Sequence, residues 1–329
     1  MKSDFIESDL ELYVQRLLVH EFYASGNTYK MLKISPGKEK LLGYDAEIVG
    51  LTSFYCQFKT SDFLTRGPLY NQRIKFCTTK HWPKKPFHTF ALRPPSDPAD
   101  KKDPTKWQHN VLHALWKQNP TRVAYVAPMF HTRLALDLHE PVVAPTECPW
   151  VDSPRRRHAP PHFSSTEVEI TYPRGRRRFK LPAFDGLISI PPHKPVKDLK
   201  HHYCFTDHLD VTFHSDPEFV DTGNTLNAKL VEFIRASVGP DDEKRESSPI
   251  TLSEVSAMLG LDDDPAGFVE PFLAFGLSRA GIERQALQQG ASHAFERNAT
   301  PLQQRLALAA ALKAYFDIST LGLVKFKGR

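Results

Sequence analysis

Cysteine is scarce in this sequence of 329 residues, and its four cysteines lie far apart with no C-x-x-C pair. That spacing argues against a disulfide framework and against a cysteine zinc site. No uninterrupted apolar run approaches the length of a membrane span, and the first residues lack the apolar core of a signal peptide. These absences predict a cytoplasmic protein without a membrane partner.

A strong charge of one sign is also missing. The net charge of +5 at pH 7 is only mildly basic, and by itself it indicates no nucleic-acid partner. The sequence has no glycine-rich loop that would cradle phosphate, no internal repeat and no long low-complexity tract. Its 40% hydrophobic and 25% charged residues are typical of a globular protein long enough for a substantial core.

Residues 44–59 alternate between apolar and polar side chains, as two half-buried strands do. We predict that a turn centred on Leu51 joins these strands as a hairpin. In that register Asp45 lies directly opposite Gln57, with Lys59 one pleat along, because side chains alternate faces with period two. A carboxylate, an amide and an ammonium are therefore predicted to converge on one face of a sheet.

An amphipathic helix is predicted over residues 4–23, where apolar residues recur every three or four positions. Glu11 lies at the edge of the apolar stripe, where its carboxylate can point along the sheet toward Asp45. Glu7 and Glu21 belong to the same helix and are alternatives for this position.

The combination resembles the PD-(D/E)XK nuclease superfamily, in which a helical Glu precedes a strand Asp and an acid-x-Lys motif on the next strand. More narrowly, it looks like the Mrr-like and VRR-type variants that carry Gln in place of the acid. The matching residues are Gly43-Tyr44-Asp45 and Gln57-Phe58-Lys59, with Glu11 upstream in an E-x-x-V-x-x-L setting. The match extends over roughly the first 65 residues.

The resemblance implies metal-assisted hydrolysis of phosphodiester bonds by an endonuclease, in DNA rather than RNA. It implies that Asp45 is the principal ligand of Mg²⁺ or Mn²⁺, with Gln57 and Glu11 as further metal ligands. Lys59 would stabilise the charge that develops on phosphate or position the attacking water. It further implies a restriction-endonuclease-like mixed sheet flanked by helices, and a role in defence against foreign DNA. Because Gln57 is neutral, this site carries one negative charge fewer than the usual family site.

The elements predicted around the motif would complete an α/β sheet with helices on both faces. They are a strand at 28–34 before the motif, and after it a polar strand at 72–79, a strand at 87–92, a helix at 105–118, a strand at 122–128 and a helix at 130–139. We assign residues 1–140 to this nuclease-like domain. Within it, Gln108-His109 faces inward and is interpreted as a structural hydrogen-bonding pair.

A second region, residues 141–220, is rich in proline, arginine and histidine. Its seven arginines within 24 residues, together with two lysines of an earlier loop beside Trp82, predict contacts with a nucleic-acid backbone. They are Arg155, Arg156, Arg157, Arg174, Arg176, Arg177, Arg178, Lys84 and Lys85. The last four arginines lie at the turn and at the start of the second strand of a predicted β-hairpin, whose strands are 167–172 and 177–182. Solvated surface residues are the alternative interpretation of both groups.

Five histidines follow between residues 193 and 214, but their spacing matches no standard zinc finger, and the alternation there predicts a plain strand. Residues 221–329 are predicted to form an α-helical C-terminal domain, which would mediate a homo-oligomer or bind a protein partner. Three function classes follow in order of preference. They are a nuclease, a catalytically silent nucleic-acid-binding protein on a nuclease-like core, and a regulatory or interaction protein.

Overall fold

A computed structural model shows a mixed α/β fold. The structure describes residues 1–25, 29–34, 48–82, 84–93, 103–139, 166–172, 175–184, 186–198, 200–220, 223–238, 249–261 and 265–326. Within these ranges, no helix is both long and apolar enough to cross a membrane.

The helices and strands follow one another along the chain without a simple repeat. The helices are α1 (Glu7–Glu21), α2 (Pro68–Thr79), α3 (Gln108–Gln118), α4 (Arg133–His139), α5 (Leu226–Ser237), α6 (Leu252–Leu259), α7 (Pro265–Arg279), α8 (Arg284–Leu287), α9 (Ala291–Arg297) and α10 (Pro301–Phe316). The strands are β1 (Tyr23–Ala24), β2 (Tyr29–Ile34), β3 (Ile48–Phe58), β4 (Asp62–Leu64), β5 (Phe87–Ala91), β6 (Val123–Pro128), β7 (Thr166–Tyr172), β8 (Gly175–Leu181), β9 (Leu187–Ile190), β10 (His202–Phe205), β11 (Val211–His214), β12 (Glu218–Val220), β13 (Asn224–Thr225) and β14 (Ser319–Phe326).

The largest sheet has the strand order β13-β9-β6-β3-β14-β2. Strands β3 and β6 are parallel, and the other neighbouring strands are antiparallel. A crossover containing α2 and α3 joins the parallel pair, as parallel strands require. Strands from all three predicted ranges, 1–140, 141–220 and 221–329, pair in this one sheet.

Apolar side chains cover both faces of the large sheet. On one face, α1 and α5 pack with β3, and the buried residues of α1 recur at spacings of three and four because those positions share one side of a helix. They are Leu10, Tyr13, Val14, Leu17 and Leu18. On the other face lie α3, α7 and α10, together with a second sheet in the order β12-β11-β10-β5-β4. The large sheet is therefore buried between two layers.

Several predicted elements are confirmed. The helix predicted at 4–23 is α1, the strand at 28–34 is β2, and the arginine-rich hairpin is formed by β7 and β8. Strands β5 and β6 and helices α3 and α4 also match their predictions within a few residues. The general α/β class follows from these elements.

Three predictions are wrong. No turn forms at Leu51, because Ile48–Phe58 is one continuous strand in which Leu51 pairs with Val324 of β14. The predicted polar strand at 72–79 belongs to α2, which begins with Pro68, where a missing N–H costs nothing. The C-terminal region is not helical throughout, because it supplies β14.

Helix α2 is attached to the second sheet through a buried arginine. The Arg73 guanidinium donates hydrogen bonds to the Cys204 carbonyl and the Thr212 hydroxyl, both at 2.6 Å, and pairs with Asp210 at 2.8 Å. It also lies 4.8 Å from the centre of the Phe87 ring. The side chain is therefore both paired and packed.

We expect Arg73→Ala to lower the free energy of unfolding by about 3–5 kcal/mol, because it removes a buried donor shared by a half-buried carboxylate and two buried acceptors. Urea unfolding followed by circular dichroism measures this loss. Arg235→Ala, at an exposed position of α5, is the matched control and should change the free energy by less than about 0.5 kcal/mol. Equal effects of the two substitutions would contradict the assignment.

Candidate active site

Lys59 is buried at the end of β3. Its backbone N–H donates to the Val126 carbonyl at 2.9 Å, which continues the parallel pairing of β3 and β6 by one residue. Its Nζ donates to Gln108 Oε1 at 3.4 Å and lies 3.7 Å from Glu7 Oε1. Burial lowers the pKa of the Lys59 ammonium to about 8, although the charge of Glu7 acts in the opposite direction. The pKa of the Lys59 ammonium therefore lies much closer to neutral pH than that of an ordinary lysine.

Glu7 connects Lys59 to the surface. It lies in the first turn of α1, and its Oε2 is 3.1 Å from Arg93 Nη1. The exposed fraction of the side chain rises from 2% for Lys59 through 13% for Glu7 to 59% for Arg93. Burial raises the pKa of the Glu7 carboxyl, and the two cations only partly offset this effect. The three charges thus lead from the interior to solvent.

Gln57 lies on the same face of β3, two residues before Lys59. Its side chain is 1% exposed, and neither amide atom has a hydrogen-bond partner among the described residues. A buried polar group left unpaired costs roughly 1–3 kcal/mol, so an amide of this kind marks either strain or a place for a ligand. Gln57 is thus available for further hydrogen bonds beside Lys59.

Glu11 belongs to a separate network, one turn further along α1. Its carboxylate is 2.8 Å from Lys33 Nζ and 3.2 Å from Lys313 Nζ, and it accepts a short hydrogen bond from the Ser319 hydroxyl. Burial acts to raise the pKa of Glu11, but the hydrogen bonds from Lys33 and Ser319 and the charge of Lys313 together lower it. Glu11 is therefore a fully partnered, ionised carboxylate.

The helical acid beside Lys59 is Glu7 and not Glu11. Among the three acids considered, Glu21 is the most distant, because 14 helical residues separate it from Glu7, about 21 Å along the axis. Asp45, the proposed principal metal ligand, lies outside the described residues. The turn that placed it opposite Gln57 does not form, so that pairing has no support from β3.

The described oxygen atoms do not fit a Mg²⁺ or Mn²⁺ ion. In the ranges that the structure describes, no group of three or more His, Cys, Asp or Glu side chains could hold a metal. Glu7 is already paired with two cations, and Glu11 with two cations and a hydroxyl. Of the five histidines between residues 193 and 214, His193 hydrogen-bonds to Glu218 and Tyr203.

The predicted nucleic-acid contacts are only partly described. Arg176 and Arg178 are exposed and both pair with Glu169, while Arg177 lies 4.8 Å from the centre of the Tyr29 ring. Lys84 and Lys85 are exposed. The remaining four arginines, Arg155, Arg156, Arg157 and Arg174, lie outside the described residues. The hairpin therefore presents two exposed guanidinium groups next to a carboxylate.

Sequence reasoning missed Arg93 and Lys313 as members of these networks. Arg93 lies two residues after the end of β5, and Lys313 lies 302 positions after Glu11, so no local pattern connects them with these networks. The structural interpretation is confirmed for His109, which bonds Tyr125 and the Lys194 carbonyl, both at 2.7 Å, but not for Gln108, which lies at the candidate site. Gln108 additionally reaches Lys59.

Known proteins give no guide to this site. No family model, curated protein or solved structure matches the chain.

Proposed function

We propose that this protein hydrolyses phosphodiester bonds of DNA on a restriction-endonuclease-like core, with Lys59 at the centre of its active site. The observation that carries the proposal is the burial of Lys59 beside Glu7 at the end of β3, next to the parallel strand β6. A helical acid near a strand lysine is the arrangement that the resemblance implies. A buried lysine with a strongly lowered pKa, next to an unpartnered amide, is typical of a functional site.

The residues around Lys59 have distinct roles in this proposal. Arg93, the most exposed of the three charged groups, attracts a phosphate of the substrate. This phosphate competes with Glu7 for the Arg93 guanidinium. Lys59 then donates to a non-bridging phosphate oxygen and stabilises the negative charge that develops as water attacks phosphorus and the ester P–O bond breaks. Gln57 offers its free amide to the attacking water or to the phosphate. Arg176 and Arg178 contact the backbone without reading its sequence.

A divalent ion would need carboxylates beyond Glu7. Asp45, the acid that the resemblance implies, lies outside the described residues. Whether cleavage requires a divalent ion is therefore determined by the assay below.

A catalytically silent DNA-binding protein on the same core is the second candidate. It is favoured by the pairing of the Glu7 and Glu11 carboxylates with cations, because acids neutralised in this way are poor metal ligands. The two candidates differ in whether the bound phosphodiester is broken.

The test is cleavage of supercoiled plasmid, linear duplex and RNA in the presence of Mg²⁺, Mn²⁺ or EDTA. We expect the wild-type protein to cleave DNA with a divalent ion and the Lys59→Ala variant to fail. Equal cleavage by both proteins would show that Lys59 takes no part in the cleavage reaction. Salt-sensitive binding of DNA without cleavage under any condition would favour the silent candidate.

A comparison of Glu7 and Glu11 tests which of these carboxylates is the counter-charge of Lys59. We expect Glu7→Gln to lower the cleavage rate by about tenfold or more, because the Lys59 ammonium loses its counter-charge. Glu11→Gln should instead lower stability, since Lys33 and Lys313 lose their shared partner. Single-turnover rates and urea unfolding separate these effects. A larger rate loss in Glu11→Gln would reverse the assignment.

A further inference from the structure

A separate pocket adjoins the Glu11 network, with a volume of about 310 Å³. It lies among α7, α10, β2 and β14. Lys33 and Lys313, the two lysines that bind Glu11, form part of its wall, and Arg279 at the end of α7 forms another part. Its volume falls at the lower end of the range for small-molecule sites.

The pocket carries more cations than anions. Lys33, Lys313 and Arg279 line it, against the carboxylates of Glu11 and Asp317, which both pair with Lys313. The Arg279 guanidinium is exposed and lies 5.3 Å from the centre of the Phe275 ring, and it has no ion-pair partner in the described part of the chain. It is thus free to bind an anion with its planar group of donors.

One buried group in the wall lacks a partner. The Thr320 side chain is 2% exposed, and its hydroxyl makes no hydrogen bond to any described residue. A buried hydroxyl without a hydrogen-bond partner destabilises the folded state, because it has lost its bonds to water. A ligand that filled the pocket would remove that cost by bonding to the hydroxyl.

Apart from Ser319, whose hydroxyl donates to Glu11, the remaining wall is apolar. It consists of Ile34, the Phe275 ring and three small residues of α10, which are Ala309, Ala310 and Ala314. A flat aromatic group can stack on a phenylalanine ring and fit over alanines with little steric cost. The lining of the pocket thus combines cationic side chains with an aromatic ring and small apolar residues.

We propose that this pocket binds a nucleoside monophosphate. The phosphate contacts Arg279, Lys33 and Lys313, the Thr320 hydroxyl bonds to the ligand, and the base lies against Phe275 and the alanines. Because Glu11 and Asp317 oppose the phosphate, we expect a dissociation constant between about 10 μM and 1 mM. The proposal does not depend on nuclease activity, since it involves neither Lys59 nor Gln57.

Isothermal titration calorimetry of the full chain with AMP, adenosine and inorganic phosphate tests the proposal. We expect AMP to bind more tightly than either fragment. Phosphate alone contacts only the cationic side chains, and adenosine alone contacts only the aromatic and apolar residues. Arg279→Gln should weaken AMP binding by about tenfold or more. Ala314→Phe, an exposed substitution on the pocket wall, should abolish it by filling the space.

Two controls locate the binding site. Arg235→Gln removes an exposed arginine from α5 and should leave AMP binding unchanged. Lys59→Ala should also leave it unchanged, which separates this pocket from the candidate active site. The proposal is overturned if millimolar AMP does not bind, if Arg279→Gln and Ala314→Phe bind as tightly as wild type, or if only Lys59→Ala loses binding. Equal affinity for phosphate and AMP would overturn the nucleoside part.

Discussion

Replacing Lys59 with alanine is expected to lower the rate of DNA cleavage by about 100-fold or more. The substitution removes the ammonium that lies beside Glu7 at the end of β3, and with it the positive charge that would stabilise the transition state. Lys59→Met retains much of the buried aliphatic volume, so the same loss in this variant would exclude a cavity as the cause. Single-turnover rates measure the effect.

Lys229→Ala is the matched control for these variants. Its ammonium is also mostly buried, pairs with Glu232 at 2.9 Å and donates to the Pro120 carbonyl at 2.8 Å, on an element remote in sequence from β3. It should lower stability without affecting the cleavage rate of the folded fraction. Cleavage that falls equally in Lys59→Ala and Lys229→Ala would show that the rate follows folding and not the site.

Acidification is expected to unfold this protein well above pH 3. Burial lowers the pKa of His109 to about 3, and that of His88 and His214 to about 4. The unfolded chain binds protons at these histidines below about pH 6.5, whereas the folded chain does not, so stability is lost as the pH falls through this window. By pH 4 each histidine removes about 3 kcal/mol, and together they approach the whole stability of a typical domain.

Urea unfolding at neutral pH and near pH 5 measures this dependence. The His109→Phe variant keeps an aromatic ring beside Tyr125 but cannot titrate, so its stability should fall less steeply with pH. At neutral pH it should be less stable than wild type, because Tyr125 and the Lys194 carbonyl lose their partner. A wild-type free energy of unfolding that stays constant from pH 7 to 5 would contradict the prediction.

Local patterns predicted the elements whose cause is local. The spacing of Leu10, Val14 and Leu17 predicted α1, and the apolar run before Pro128 predicted the buried strand β6. Helix α2 was mistaken for a strand because its buried face includes Arg73, a charged residue that only the contacts of the second sheet explain. Strand β14 was missed because its partners lie in distant parts of the sequence.

The candidate site was predictable in composition but not in detail. The residues of the Gln57-Phe58-Lys59 motif indicated a polar centre on a strand, and Lys59 is indeed buried beside a helical acid. The choice between Glu7 and Glu11 depends on the position of α1 along β3. Packing across the sheet determines that position, and the local sequence does not show it. The turn at Leu51 was wrong because pairing with β14 extends β3 through that position.

The position of β14 also constrains the order in which the protein folds. Gly322 pairs with Ser53, about 270 residues earlier, so the large sheet remains split between β2 and β3 until that segment has been synthesised. Until then two strand edges are open to pairing with other chains. We therefore expect the incomplete chain to pair with other chains during synthesis more readily than a sheet built from neighbouring strands would.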